Sequence, residues 1–194
     1  MDGKEFYNNM YLDHPDRWEV PDGGHHGFDL NIRDIIYKIG NTERPKYHLI
    51  DLGCGTGRTL ELIKYPNIDM TGIDYSEEAV KIAKKRCPYA QIELCDMNCT
   101  DFIDGAFDIV LSVGSHEHQE TLDFSEVRRL VNNDGWFIAV FPCINPVSKG
   151  RTIGIDGQHY DWDLNKEDWI HAVEPFRFKF IEYKEPWTFV FKPV

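Results

Sequence analysis

The sequence predicts an α/β protein, a three-layer doubly wound sheet of seven strands, mostly parallel with the last strand antiparallel. Two observations predict it. From residue 47 onward, short apolar runs alternate with segments of helical periodicity, a pattern that implies crossover connections and a mostly parallel sheet with helices on both faces. The last two aromatic-rich runs, 176–183 and 187–192, are separated only by Lys184-Glu185-Pro186, which is too short for a crossover and allows only an antiparallel pair.

Taken in order, residues 1–29 mix aromatic, polar and turn residues, including Pro15, Pro21, Gly23, Gly24 and Gly27, and read as an irregular arm. Ile32, Ile35, Ile36 and Ile39 recur at helical spacing up to Gly40 and predict an amphipathic helix over 30–39. There follow strand 47–52, helix 58–65, strand 68–73, helix 77–86, strands 90–95 and 107–112, helix 122–132 and strand 136–141. Ser76 stands where an N-cap belongs, with Glu77 and Glu78 in the first turn. Asn133-Asp134-Gly135 marks a turn into the fifth strand. After Pro142 come about twenty residues without clear period, a length that in compact domains accompanies function or disorder, and then a helix over 166–173. One domain is expected over 1–194: an arm or lid and helix at 1–40, a core at 47–141, a loop at 142–165, and a C-terminal helix and hairpin at 166–194.

Hydrophobic content of 42% with 13% aromatics supports a packed core. Thirty-three acidic residues against 21 basic ones give a net charge of -12, which disfavours a nucleic-acid partner. The longest basic cluster, Lys84-Lys85-Arg86, ends a predicted helix, where cations favour the negative end of the macrodipole. Five cysteines make an odd number without a CxxC pair, so free thiols in a reducing compartment are expected. No apolar stretch follows Met1-Asp2-Gly3-Lys4-Glu5, and no run of 18 apolar residues occurs, so the expectation is a soluble cytoplasmic protein without membrane contact, monomeric or homodimeric.

In a doubly wound sheet, ligands lie beyond the carboxyl ends of the strands, where the first glycine-rich turn lets backbone approach them. Asp51-Leu52-Gly53-Cys54-Gly55-Thr56-Gly57 occupies that turn. The dinucleotide fingerprint requires GxGxxG, whereas here Arg58 stands where the last glycine would be, which argues against NAD and FAD. Asp74 closes the second strand about 20 positions on, where an acid can accept both hydroxyls of a ribose, and Asp96-Met97 ends the third.

This ordered set resembles the DxGxGxG loop and following strand ends of class I, Rossmann-like S-adenosylmethionine-dependent methyltransferases, from about residue 47 to the C-terminus. The resemblance implies S-adenosylmethionine as cofactor and S-adenosylhomocysteine as product. It implies that Asp51, Gly53, Cys54, Gly55 and Gly57 form the loop around the methionine head, that Asp74 holds the ribose, that Tyr75 also belongs to the cofactor site, and that Asp96 and Met97 hold the adenine. Ser112 would end the fourth strand facing the transferable methyl group, and Tyr7 and Tyr11, with Trp18, resemble aromatic N-terminal lids.

After the fourth strand, Val113-Gly114-Ser115-His116-Glu117-His118 replaces the Asn/Asp-Pro-Pro-Tyr of many amine methyltransferases, which argues against methylation of DNA bases or glutamine. Methyl transfer from a sulfonium needs mainly alignment, and a hydroxyl nucleophile also needs its proton removed, a task matched by histidine near neutral pH. Glu117-His118 resembles the Glu-His of small-molecule and quinone O-methyltransferases, and His116 and His159 are further catalytic candidates; each histidine also has a packing role open to it. In metal-using relatives, a Glu three residues before that pair is a ligand, but here it is Gly114, leaving Glu117, His118 and His159 as a possible divalent-metal set. With His25-His26 in the arm, five of the eight histidines fall in segments expected around one cleft.

The expected reaction is O-methylation of a small-molecule hydroxyl with a histidine as general base. Its rivals are a metal-assisted RNA-end ribose 2′-O-methyltransferase and a non-catalytic module that binds S-adenosylmethionine and regulates a partner.

Overall fold

The computed structural model describes the backbone of residues 3–14, 27–42, 44–143, 150–153 and 160–194. Trp18, His25, His26 and His159 therefore lie outside the described residues. The element order is α1 (Gly3–Asp13), α2 (Gly27–Gly40), β1 (Tyr47–Leu52), α3 (Arg58–Leu62), β2 (Ile68–Asp74), α4 (Glu77–Arg86), β3 (Gln91–Leu94), β4 (Phe107–Val113), α5 (Ser125–Leu130), β5 (Val131–Val140), β6 (Gly150–Ile153), β7 (Tyr160–Asp163), α6 (Lys166–Val173), β8 (Phe178–Lys184) and β9 (Thr188–Pro193).

Seven strands, the number expected, form the sheet in the order β3-β2-β1-β4-β5-β9-β8. β1 pairs in parallel with β2 and β4, β2 with β3, and β4 with β5, while β9 runs antiparallel to both β5 and β8. Alternation along the strands sends side chains to opposite faces. Leu49, Met70, Ile109, Leu111, Ile138 and Val190 join Ile32, Ile36, Leu60 and Val80 in one buried layer. Ile50, Leu52, Val110, Phe137, Phe189 and Phe191 join Leu130, Trp169 and Val173 in the other. Trp169 stacks on Phe141 at 4.3 Å between ring centroids and donates through Nε1 to the Pro142 carbonyl at 3.1 Å, pinning α6 to the end of β5.

The structure corrects the sequence reading at four places. The arm is not wholly irregular, because Gly3–Asp13 is helical, and α2 begins at Gly27. In α1, Phe6 and Met10, like Tyr7 and Tyr11, are four apart, so one face of the helix packs together with Ala79 of α4. The segment after Pro142 carries the two-stranded β6–β7 sheet. α5 is shorter than 122–132, and β5 starts at Val131, so Asn133-Asp134-Gly135 lies in a register irregularity opposite Phe107–Ile109.

The N-cap at Ser76 is present, its Oγ accepting from the Ala79 N–H at 3.3 Å. The same hydroxyl donates to Asn8 Oδ1 at 2.7 Å, which ties α1 to the start of α4. α1 thereby lies over the carboxyl ends of β1 and β2, where ligands bind in this architecture.

Candidate active site

The site begins at the turn after β1. Gly53 and Gly55 adopt φ of 74° and 53°, which L side chains rarely take, and their surroundings also exclude a side chain. A Cβ on Gly53 would lie 2.7 Å from Ser115 Cβ, and one on Gly55 would lie 2.9 Å from the Tyr11 hydroxyl. Asp74 at the end of β2 fixes this turn: its Oδ2 accepts from the Gly55 N–H at 2.9 Å and its Oδ1 from the Ser76 N–H at 2.8 Å. Burial raises the Asp74 pKa, and these backbone donors partly offset the effect.

A cavity of about 210 Å³ opens between the turn, α1 and the strand ends. Its walls are Tyr7, Tyr11, Gly53, Asp74, Tyr75, Cys95, Asp96, Met97, Asn98, Gly114, Ser115, His118 and Gln119. Seven of the cofactor-loop and lid candidates named from the sequence thus share one space: Tyr7, Tyr11, Gly53, Asp74, Tyr75, Asp96 and Met97. Tyr7 reaches across it, its ring 5.6 Å from that of Tyr75 and 6.1 Å from that of His118. The volume falls below the about 300–1,000 Å³ of typical ligand sites.

Asp51, behind the turn, is 1% exposed, and its Oδ1 has no hydrogen-bond partner among the described residues. Burial, helped by the charge of Asp74, pushes its pKa up to about 7. Gly55, Gly57 and Cys54 shape the turn without lining the cavity; the Cys54 thiol is buried and points to the Gly55 carbonyl at 3.7 Å.

The two histidines of the 3-10 turn His116–His118 part company. His118 lines the cavity. His116 does not: it is 1% exposed, stacked on Phe124 at 4.8 Å, with Nδ1 2.6 Å from Ser112 Oγ. Burial lowers its pKa to about 3, so it is a neutral core residue and is withdrawn as a catalytic candidate. Ser112 is also buried, bonded to His116 and Ser115, rather than open to ligand. Glu117 is buried in the same turn, with Oε1 placed 3.6 Å from where a Gly114 Cβ would be, and it is not part of the cavity wall. Among the described residues, no group of three or more His, Cys, Asp or Glu is placed to hold a metal ion.

Cys95, Asn98 and Gln119 in the wall were not singled out from the sequence, whereas Gly114 and Ser115 belong to the segment Val113–His118 noted after the fourth strand. Asn98 and Gln119 directly follow residues that were singled out, Met97 and His118, and their proximity to those residues was the available signal.

Residues 49–135 match the methyltransferase domain family. The ubiquinone biosynthesis O-methyltransferase of Pelagibacter ubique is 26% identical over 149 residues, covering 72% of this chain and 61% of that protein. A putative 23S rRNA (guanine-N(1)-)-methyltransferase of Bacillus subtilis is 32% identical over 129 residues, covering 61% of this chain and 43% of that protein. The chain therefore spans about three fifths or less of the length of these curated relatives. Among solved structures, Burkholderia thailandensis 1,6-didemethyltoxoflavin-N1-methyltransferase, with 1,6-didemethyltoxoflavin and S-adenosylhomocysteine bound, superposes with a TM-score of 0.77 at 15% identity, over 98% of this chain and 87% of that one. Over residues 49–135 the chain is similar to the methyltransferase domain family, and its fold is that of class I, Rossmann-like S-adenosylmethionine-dependent methyltransferases.

The residues present fit that cofactor. A desolvated carboxyl oxygen at Asp51 lacks a donor among the described residues, the backbone at Gly53 and Gly55 leaves no room for side chains, and Asp74 and Asp96 offer carboxylates at successive strand ends of one cavity.

Proposed function

We propose that this chain methylates a hydroxyl of a small-molecule acceptor, with His118 as general base. The observation that carries the reading is that His118 shares one cavity wall with Asp74, Asp96 and Met97, so a base stands beside the residues assigned to the cofactor. When bound, S-adenosylmethionine would supply an activated methyl group on a sulfonium, the C–S bond being the one given up and S-adenosylhomocysteine the leaving group.

In this reading, Asp51 and the Gly53–Gly57 turn hold the methionine head, Asp74 and Tyr75 hold the ribose, and Asp96 and Met97 hold the adenine. Tyr7 and Tyr11 on α1 cover the site and exclude water. A ring nitrogen of His118 takes the acceptor's hydroxyl proton as the new O–CH₃ bond forms, and alignment supplies most of the rate. The net charge of -12 and a cavity wall without Lys or Arg among the described residues favour a small molecule over RNA. The five free thiols favour a reducing compartment such as the cytoplasm.

The test is methyl transfer to a panel of phenolic, sugar and carboxylate-bearing hydroxy acceptors, with RNA oligonucleotides alongside. For the preferred acceptor, His118→Ala should lower kcat about 10²–10⁴-fold while S-adenosylhomocysteine binding stays within about threefold. Unchanged turnover in His118→Ala rejects the base, and methylation of RNA alone rejects the small-molecule acceptor.

A further inference from the structure

Three side chains on the cavity wall are joined in a line. Asp96 Oδ1 accepts from the Asn98 backbone N–H at 2.9 Å and from Asn98 Nδ2 at 3.1 Å. Asn98 Oδ1 in turn accepts from Gln119 Nε2 at 2.6 Å. Gln119 itself is held on the 3-10 turn: its backbone N–H donates to the His116 carbonyl at 3.2 Å, and its carbonyl accepts from Trp162 Nε1 of β7 at 3.0 Å.

The direction of this line is fixed by chemistry. An ionised carboxylate only accepts, so Asn98 must present its NH₂ to Asp96 and its oxygen to Gln119, and Gln119 must present its NH₂ to Asn98. Neither amide can flip without setting acceptor against acceptor. Gln119 is 9% exposed, and its Oε1, left over by this arrangement, is buried with no partner among the described residues. A buried acceptor without a partner is a penalty that an apolar side chain would avoid, so the amide's contribution lies in its N–H.

We propose that Asn98 and Gln119 are positioning residues for base selectivity: they saturate Asp96 Oδ1 and hold the carboxylate plane, so that Oδ2 is left as the acceptor for an exocyclic amine. The proposal rests on the cofactor assignment above, in which Asp96 meets the adenine. A purine with a 6-amino group brings a donor to that oxygen. A 6-oxo purine brings a second acceptor and is rejected, and the rejection is strict only while the carboxylate cannot turn to accept from the N1–H that such a purine carries instead.

The experiment compares binding of S-adenosylhomocysteine and of its deaminated analogue, S-inosylhomocysteine, by titration calorimetry. Wild type should prefer the adenosyl ligand by about 100-fold or more. Gln119→Leu should cut that preference by about tenfold, with no loss of Tm because the stranded Oε1 goes with the amide. Gln119→Glu, which has no N–H to give and turns Asn98 against Asp96, should cut it further. Asn98 is exposed, so Asn98→Ala provides a second route that does not disturb the core, and it should also lower the preference.

If wild type discriminates and all three variants keep its ratio, or weaken both ligands equally, the positioning role is overturned and the cofactor assignment stands. If wild type binds neither ligand, the cofactor assignment itself fails, and the selectivity proposal fails with it.

Discussion

The Gly55 N–H donates to Asp74 Oδ2 at 2.9 Å, so the acid that closes β2 also sets the shape of the glycine turn that follows β1. With Ser76 N–H on Oδ1, both carboxylate oxygens hold backbone before any ligand arrives. Asp74→Ala leaves two donors unpaired and should destabilise the ligand-free protein by about 1–3 kcal/mol. Asp74→Asn, which keeps one acceptor, should recover part of the loss. Differential scanning calorimetry without ligand measures both, and an Asp74→Ala protein as stable as wild type would contradict this role.

Asp51 makes stability and ligand binding respond oppositely to pH. Its folded pKa of about 7 lies above the ordinary 3.8, so the folded chain holds a proton that the unfolded chain has already lost. Ligand-free stability attributable to this group is therefore present at pH 4 and lost as pH rises towards and through 7. Asp51→Asn should match wild type at pH 4 and exceed it in Tm by several degrees at pH 8, on the scale of about 2–4 °C per kcal/mol. A ligand bearing an ammonium group needs the ionised acid, so S-adenosylhomocysteine should bind wild type more tightly as pH rises from 6 to 8, and Asp51→Asn more weakly than wild type and without that trend. An equal stability difference at both pH values would contradict the assignment.

His116 gives the fold an acid sensitivity of its own. The folded imidazole is held neutral down to about 3, whereas the unfolded one takes a proton near 6.5. The stability it supports is complete above pH 6.5 and falls as pH drops towards 3, by up to about 1.4 kcal/mol per pH unit. His116→Gln should lower stability at pH 8 by breaking the stack on Phe124, yet flatten its decline between pH 6.5 and 4. Urea denaturation across that range checks the slope; the same decline in both proteins would show that His116 is not its source.

The sheet was legible because strands such as Tyr47–Leu52 and Phe107–Val113 are apolar runs buried on both faces, and α4 because Ser76 caps it and Val80 and Ala83 mark one face. The aspartates at strand ends were legible because their order along the chain is their order along β1, β2 and β3. α1 was missed although Phe6, Tyr7, Met10 and Tyr11 have helical spacing, since its other positions are polar and its burial depends on Ala79, far away in sequence. The β6–β7 pair was missed because four-residue strands carry little period, and the Trp162 indole finds its partner only on the distant Gln119 carbonyl. Nor could sequence divide His116 from His118. On a 3-10 turn, side chains two apart point in different directions, and only packing on Phe124 decides which one is buried.

The most direct test of the site as a whole is titration of S-adenosylhomocysteine into wild type, Asp74→Ala and His118→Ala. Binding in wild type, a loss of about 100-fold or more in Asp74→Ala and near-wild-type affinity in His118→Ala are the expected results. Binding that survives intact in Asp74→Ala would contradict the assignment of the cofactor to this cavity.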